Sequence, residues 1–171
     1  MPTNFPSSLD SYTTKVDGVD TVLAAHINNV QDAIVAIETL LSAGSTAGAY
    51  SPALTFGGAA VGMAYAAQNG RYLRLGNAVF VTGYIVLSAK GSSTGNAAVS
   101  MPVAAGPAYQ GYLNTFWSLA ANYVHVGLRT AFGGASADVL GATAAAAAPT
   151  QLTDTAFNNS SQLRFSGVYF L

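Results

Sequence analysis

Residues 71–87 read RYLRLGNAVFVTGYIVL, and this stretch sets the fold class. Gly76-Asn77 is a two-residue connection of the kind found in primed hairpin turns, whose twist matches that of the flanking strands. Residues 71–75 and 78–87 are therefore predicted to pair as a β-hairpin. Alternation puts Val79, Val81, Ile85 and Leu87 on one face of the second strand and Phe80, Tyr84 and Val86 on the other. A strand apolar on both faces is central in its sheet, or lies between a core and a subunit interface.

The texture around the hairpin is the same from Tyr50 onward: short alternating runs punctuated by Gly, Asn, Ser and Pro. That pattern predicts an antiparallel β-sandwich, jelly-roll-like in the expected arrangement. Further strands are predicted at 51–56, 97–101, 111–119, 123–131 and 162–171. In the last, Leu163, Phe165, Gly167, Tyr169 and Leu171 alternate with Gln162, Arg164, Ser166, Val168 and Phe170, which suggests a docked closing strand. The run Ala144 to Ala148 reads as a helical turn or a packed loop and is given no function.

Upstream the period changes. Leu23, Ile27, Val30, Ile34, Ile37 and Leu41 are spaced alternately by four and three, the heptad spacing of a coiled-coil seam. Ile27, Ile34 and Leu41 take position a, and Leu23, Val30 and Ile37 take position d. Ile at both positions disfavours parallel dimers and favours trimers or tetramers, so these six residues are the predicted trimerisation contacts. Asp17 or Asp20 is the expected N-cap and Gly44 the expected left-handed C-cap. A single amphipathic helix lying on its own domain is the alternative reading of this spacing. Residues 1–19 are polar, Pro-containing and aperiodic, and read as an extended arm. The organisation is thus an arm (1–19), a coiled-coil helix (20–43) and a β tip domain (50–171), mainly β with one N-terminal α-helix.

Composition narrows the function. Only 8% of the 171 residues are charged, against about 25% in ordinary soluble domains. A surface this poor in charge is expected to be covered by oligomer partners or a larger particle. The net charge of −1 and the scattered basic residues argue against nucleic acid and anionic membrane as partners. There is no cysteine, no secretory signal pattern, and the 22–41 stretch is interrupted by polar residues too often to span a bilayer. His26 and His125 lack any metal-ligand spacing, and no phosphate-binding loop occurs. No catalytic residue, metal or cofactor is expected.

Of the carboxylates, only Asp138 and Asp154 fall in the β region, and glycoside hydrolysis generally uses a flanking pair. Both stand in Ser/Ala/Thr-rich stretches and read as turn or cap residues, so the chain is expected not to be an enzyme. Two places could touch a ligand. The segment 109–117 holds Tyr109, Tyr112 and the single Trp117 among Asn and Gln, a mixture that suits sugar or protein surfaces and would equally fill a core. On the 123–131 strand, Tyr123, His125 and Arg129 share a face opposite Val124, Val126 and Leu128, and face outward if those three are core.

Three stretches together carry a family resemblance. Asn4 to Leu41 (NFPSSLDSYTTKVDGVDTVLAAHINNVQDAIVAIETLL), Gly70 to Leu87 and Leu152 to Leu171 resemble the arm, strand pair and closing segment of small tail-fibre and minor structural proteins of tailed bacteriophages. The resemblance implies a homotrimeric virion appendage. Its arm, through Asn4, Phe5, Pro6 and Leu9, would bind other virion proteins, and its β tip would face a host-surface glycan or protein. A head fibre or capsid decoration protein is the alternative, since no repetitive shaft is present; a glycan-degrading tailspike is the weaker one.

Overall fold

The computed structural model describes residues 23–171 together with Val16, Gly18, Val19 and Thr21. Asn4, Phe5, Pro6, Leu9, Asp17 and Asp20 lie outside the described residues. The chain forms two compact units, Met1–Thr46 and Ala47–Leu171.

The first unit contains helix α1, Ala24–Gly44. It starts later than Asp20, since Thr21 and Leu23 are not helical. Its first turn is closed by its own histidine: His26 Nδ1 accepts the Leu23 N–H at 3.1 Å, satisfying a donor that helix ends leave open. The far end also departs from expectation. Gly44 is not left-handed. Instead the Ser45 hydroxyl donates to the Leu41 carbonyl at 2.8 Å, occupying one of the carbonyls a helix end leaves open. The chain then enters strand β1, Ser45–Tyr50, directly. Leu23 and the five seam residues of α1 are each between 43% and 64% exposed.

The remaining strands are β2 Leu54–Phe56, β3 Ala64–Leu75, β4 Ala78–Ala89, β5 Ala97–Ser100, β6 Tyr112–Ser118, β7 His125–Thr130, β8 Ser136–Ala142, β9 Thr150–Gln151 and β10 Gln162–Phe170. They form one ten-stranded sheet in the order β1-β3-β4-β10-β6-β7-β8-β5-β2, with β9 beside β8. The register from β3 through to β2 is antiparallel throughout. The mainly antiparallel β prediction with a single helix holds. The strands do not separate into two independent sheets, however: their hydrogen bonding is continuous.

Chain length forces this sheet to curl. Laid flat, its nine-strand path would be roughly 38 Å wide at the usual strand spacing. Yet its two edge strands, β1 and β2, are joined by three residues, which span at most about 14 Å from Tyr50 to Leu54. The edges must therefore approach each other. Hydrogen bonds mark the approach: the Tyr65 side chain on β3 accepts the Leu54 N–H at 3.0 Å, and Gln68 Nε2 donates to the Pro52 carbonyl at 3.2 Å.

Curling encloses the core. Leu54, Phe56, Val79, Val81, Ile85, Leu87, Val99, Leu113, Val126, Leu128, Val139, Leu163, Phe165 and Tyr169 are buried together. The alternation read in β4 and β10 is the real one: Val79, Val81, Ile85 and Leu87 point in, as do Leu163, Phe165 and Tyr169, while Phe80 is outside. Two glycines make room for aromatic rings. The Tyr50 ring covers Gly70, and the Phe165 ring covers Gly83, to which a Cβ would bring Phe165 Cε1 within 2.6 Å. The Ala144 to Ala148 run is an exposed turn.

Candidate functional site

The outward face of β3, β4, β10 and β6 is assembled by register. Asn69, Tyr84, Arg164 and Phe116 stand opposite one another across the four strands, and the next outward row is Arg71, Thr82, Ser166 and Asn114. With Tyr50, Gln68 and the bare backbone of Gly70 and Gly83, these residues line an open groove of about 1030 Å³. The Arg164 guanidinium lies 4.3 Å from the centre of the Tyr84 ring. Phe116 is exposed. No carboxylate lines the groove, and among the described residues neither Arg71 nor Arg164 has an ion-pair partner.

The six residues singled out from sequence as ligand contacts do not converge. Tyr112 and Arg129 are register partners on β6 and β7. Tyr109 is exposed and packs edge-on against Phe170, with ring centres 6.3 Å apart. Trp117 and Tyr123 instead pack against the core, and His125 is exposed at the start of β7. Val124 is exposed rather than core, because β7 begins after it and alternation inward starts at Val126. Arg129 is engaged structurally. Its Nη2 donates to Asp138 Oδ2 at 2.9 Å, Gln151 donates to the other carboxylate oxygen at 2.8 Å, and Asn96 donates to Gln151 at 3.1 Å. That ladder ties β7, β8 and β9 together, and the Asp138 bond holds Arg129 charged.

Arg71, Tyr84, Phe116 and Arg164 were not singled out by sequence reasoning. The available signal was alternation: with Phe165 inward, Arg164 must face outward, and with Tyr72 inward so must Arg71. Their adjacency depends on β10 lying between β4 and β6, which no local pattern encodes.

The fold resembles part of a phage tailspike. The crystal structure of Dettilon tailspike protein (gp208) matches 74% of this chain with a TM-score of 0.57 at 12% identity, and the match covers 24% of that longer chain. No protein-family model and no curated protein matches the chain.

Within this tailspike-like fold, the two carboxylates of the β unit both serve packing. Asp138 is on strand β8 rather than in a loop, within the ladder just described. Asp154 opens a short 3-10 helix, Asp154–Ala156. Its carboxylate accepts the Gly95 N–H at 2.9 Å and Lys90 Nζ at 3.0 Å, and its own N–H donates to the Gly95 carbonyl at 3.0 Å. The Gly95 N–H, with Lys90 beside it, holds the Asp154 carboxyl below the ordinary carboxylate range. Among the described residues, no three His, Asp or Glu side chains cluster as metal ligands, and no helix is long and apolar enough to cross a membrane.

A pH dependence follows. Because the folded pKa of Asp154 is lowered, its contribution is fully present above the unfolded carboxyl value of about 3.9 and is lost as pH falls through the folded value. Asp154→Asn is expected to melt below the parent at pH 7, with the gap closing as pH falls below about 4. Thermal denaturation from neutral to strongly acidic pH checks this; a gap constant over that range contradicts the assignment.

Proposed function

We propose that this protein is a structural virion protein of a tailed bacteriophage: a homotrimeric short fibre whose N-terminal arm anchors to the particle and whose β unit is presented for host-surface attachment. The reading is carried by one observation, an Ile-rich heptad stripe whose described residues are each about half exposed and which is continuous in sequence with a β unit that resembles part of a tailspike. In a parallel trimer, Leu23, Ile27, Val30, Ile34, Ile37 and Leu41 bury against their counterparts. Leu73 and Phe80, with Leu75 and Phe170 in the neighbouring outward row, offer a second apolar surface for contact between copies. The engagement of Asp138 and Asp154 in ion pairs supports a binding role over a hydrolytic one.

Labelling of intact particles with antibody against the β unit tests the assignment, together with blocking of adsorption by the purified protein. Label at the tail and competition for adsorption are expected. Label on capsomer centres or edges, without competition, would make the protein a capsid decoration instead.

A further inference from the structure

We infer that the groove on β3, β4, β10 and β6 binds an acidic saccharide, with Arg71 and Arg164 receiving its anionic groups and Phe116 a ring face. The inference rests on the attachment reading and names the chemistry through which attachment acts. Charge is distributed unevenly along this chain. Asp10, Asp17, Asp20, Asp32 and Glu38 precede the β unit with Lys15 alone, whereas Arg71, Arg74, Lys90, Arg129 and Arg164 lie within it beside Asp138 and Asp154. Those two acids are already held by Arg129 and Lys90. Arg74 turns to the hairpin, where its Nε donates to the Gly76 carbonyl at 2.8 Å. Among the described residues, the cations of the β unit with no carboxylate or carbonyl partner are thus Arg71 and Arg164, and both line the groove.

Their setting selects the ligand class. A guanidinium offers a planar fork that matches a carboxylate or phosphate, and stacking on Tyr84 orients that of Arg164 before anything binds. Two strand steps and one row separate the two arginines, roughly 12 Å between Cα atoms. That spacing suits successive charges on an extended ligand rather than one chelated ion. Between them stand Thr82 and Ser166, uncharged partners for hydroxyl groups, and the exposed Phe116 ring supplies a flat apolar face. Nucleic acid is disfavoured, because its backbone affinity needs many neutralising cations and the groove holds two.

Calorimetric titration of the full chain tests this with three probes: a galacturonate pentasaccharide for carboxylate, mannose 6-phosphate for phosphate, and maltopentaose as the neutral sugar. At least one acidic probe is expected to bind about tenfold or more tightly than maltopentaose, and the preferred one identifies the anionic group. Arg71→Gln and Arg164→Gln should each weaken that binding about tenfold, while Arg74→Gln leaves it unchanged. Equal binding of neutral and acidic probes, or no binding of any, overturns the inference, as does unchanged affinity in both groove variants. Loss of the oligomer in those variants, followed by sedimentation, would instead assign the groove to contact with a second copy. Competition for adsorption by a protein that binds no acidic probe would overturn the saccharide site and leave the attachment role standing.

Discussion

Gly83→Val is expected to lower the melting temperature by about 10 °C. The cause is geometric: Gly83 pairs with Phe165 across β4 and β10, and the Phe165 ring occupies the space a side chain would take, with Cε1 and Cε2 at 2.6 and 2.7 Å from an ideal Cβ. Phe165 is 2% exposed and enclosed by core, so its ring has nowhere to swing. Overpacking of this kind costs about 3 kcal/mol, and for a protein of this size each kcal/mol moves the midpoint by about 2–4 °C. Phe165→Ala alone removes a buried ring and is itself costly, by about 3–5 kcal/mol. The double variant should lose clearly less than the two single losses added, because the new valine fills part of the vacated space. Thermal circular dichroism of the four proteins reads this directly. A Gly83→Val protein within about 2 °C of the parent would show that the ring does not cover the glycine in solution.

Ile34→Asp is expected to convert the proposed trimer to monomer. Ile34 is the central a-position residue of α1, and a threefold axis would bring three carboxylates together in an apolar layer. Burying an unpaired charge costs far more than three heptads of apolar contact can offset. Val35→Asp is the matched control: Val35 is one residue away, equally exposed in the protomer, and outside the seam. Sedimentation velocity should show monomer for the first and the parental species for the second. If the Ile34 variant keeps the parental mass, the β unit alone sets the oligomer and the heptad is only a surface stripe.

What could be read without coordinates was whatever is written locally. The β3–β4 hairpin, its Gly76-Asn77 turn and the buried faces of β4 and β10 follow from alternation and turn chemistry within a few residues. Strand β8 has no clear alternating signal, because its buried residues include Ala137, Gly141 and Ala142 rather than a run of branched side chains. Asp138 consequently reads as a turn or cap residue in the sequence. Strand β1, with the sequence STAGAY, has no alternating apolar pattern at all. The helix caps were misplaced for a related reason: His26 and Ser45 do by side-chain hydrogen bonds what Asp and Gly usually do. The groove was illegible because Arg71 and Arg164 lie on strands brought together only by long-range register, and a pairing slipped by one residue would have turned Arg164 inward.

The position of β10 has a kinetic consequence. Among the described residues β10 alone lies between β4 and β6, so the two halves of the sheet are joined only once β10 docks. Its partners on β4 are about eighty positions away in the chain, so docking closes a long loop and is intrinsically slow. Meanwhile both long edges that it will cover, on β4 and β6, stand open as templates for any extended segment nearby. If three copies are tethered by their helices, the nearest such segment is the β10 of a neighbour, and exchange would be favoured by local concentration. The hazardous moment in this protein's life is therefore the interval before one short strand finds its own slot, and assembly is safest when each protomer has closed its sheet before the helices meet.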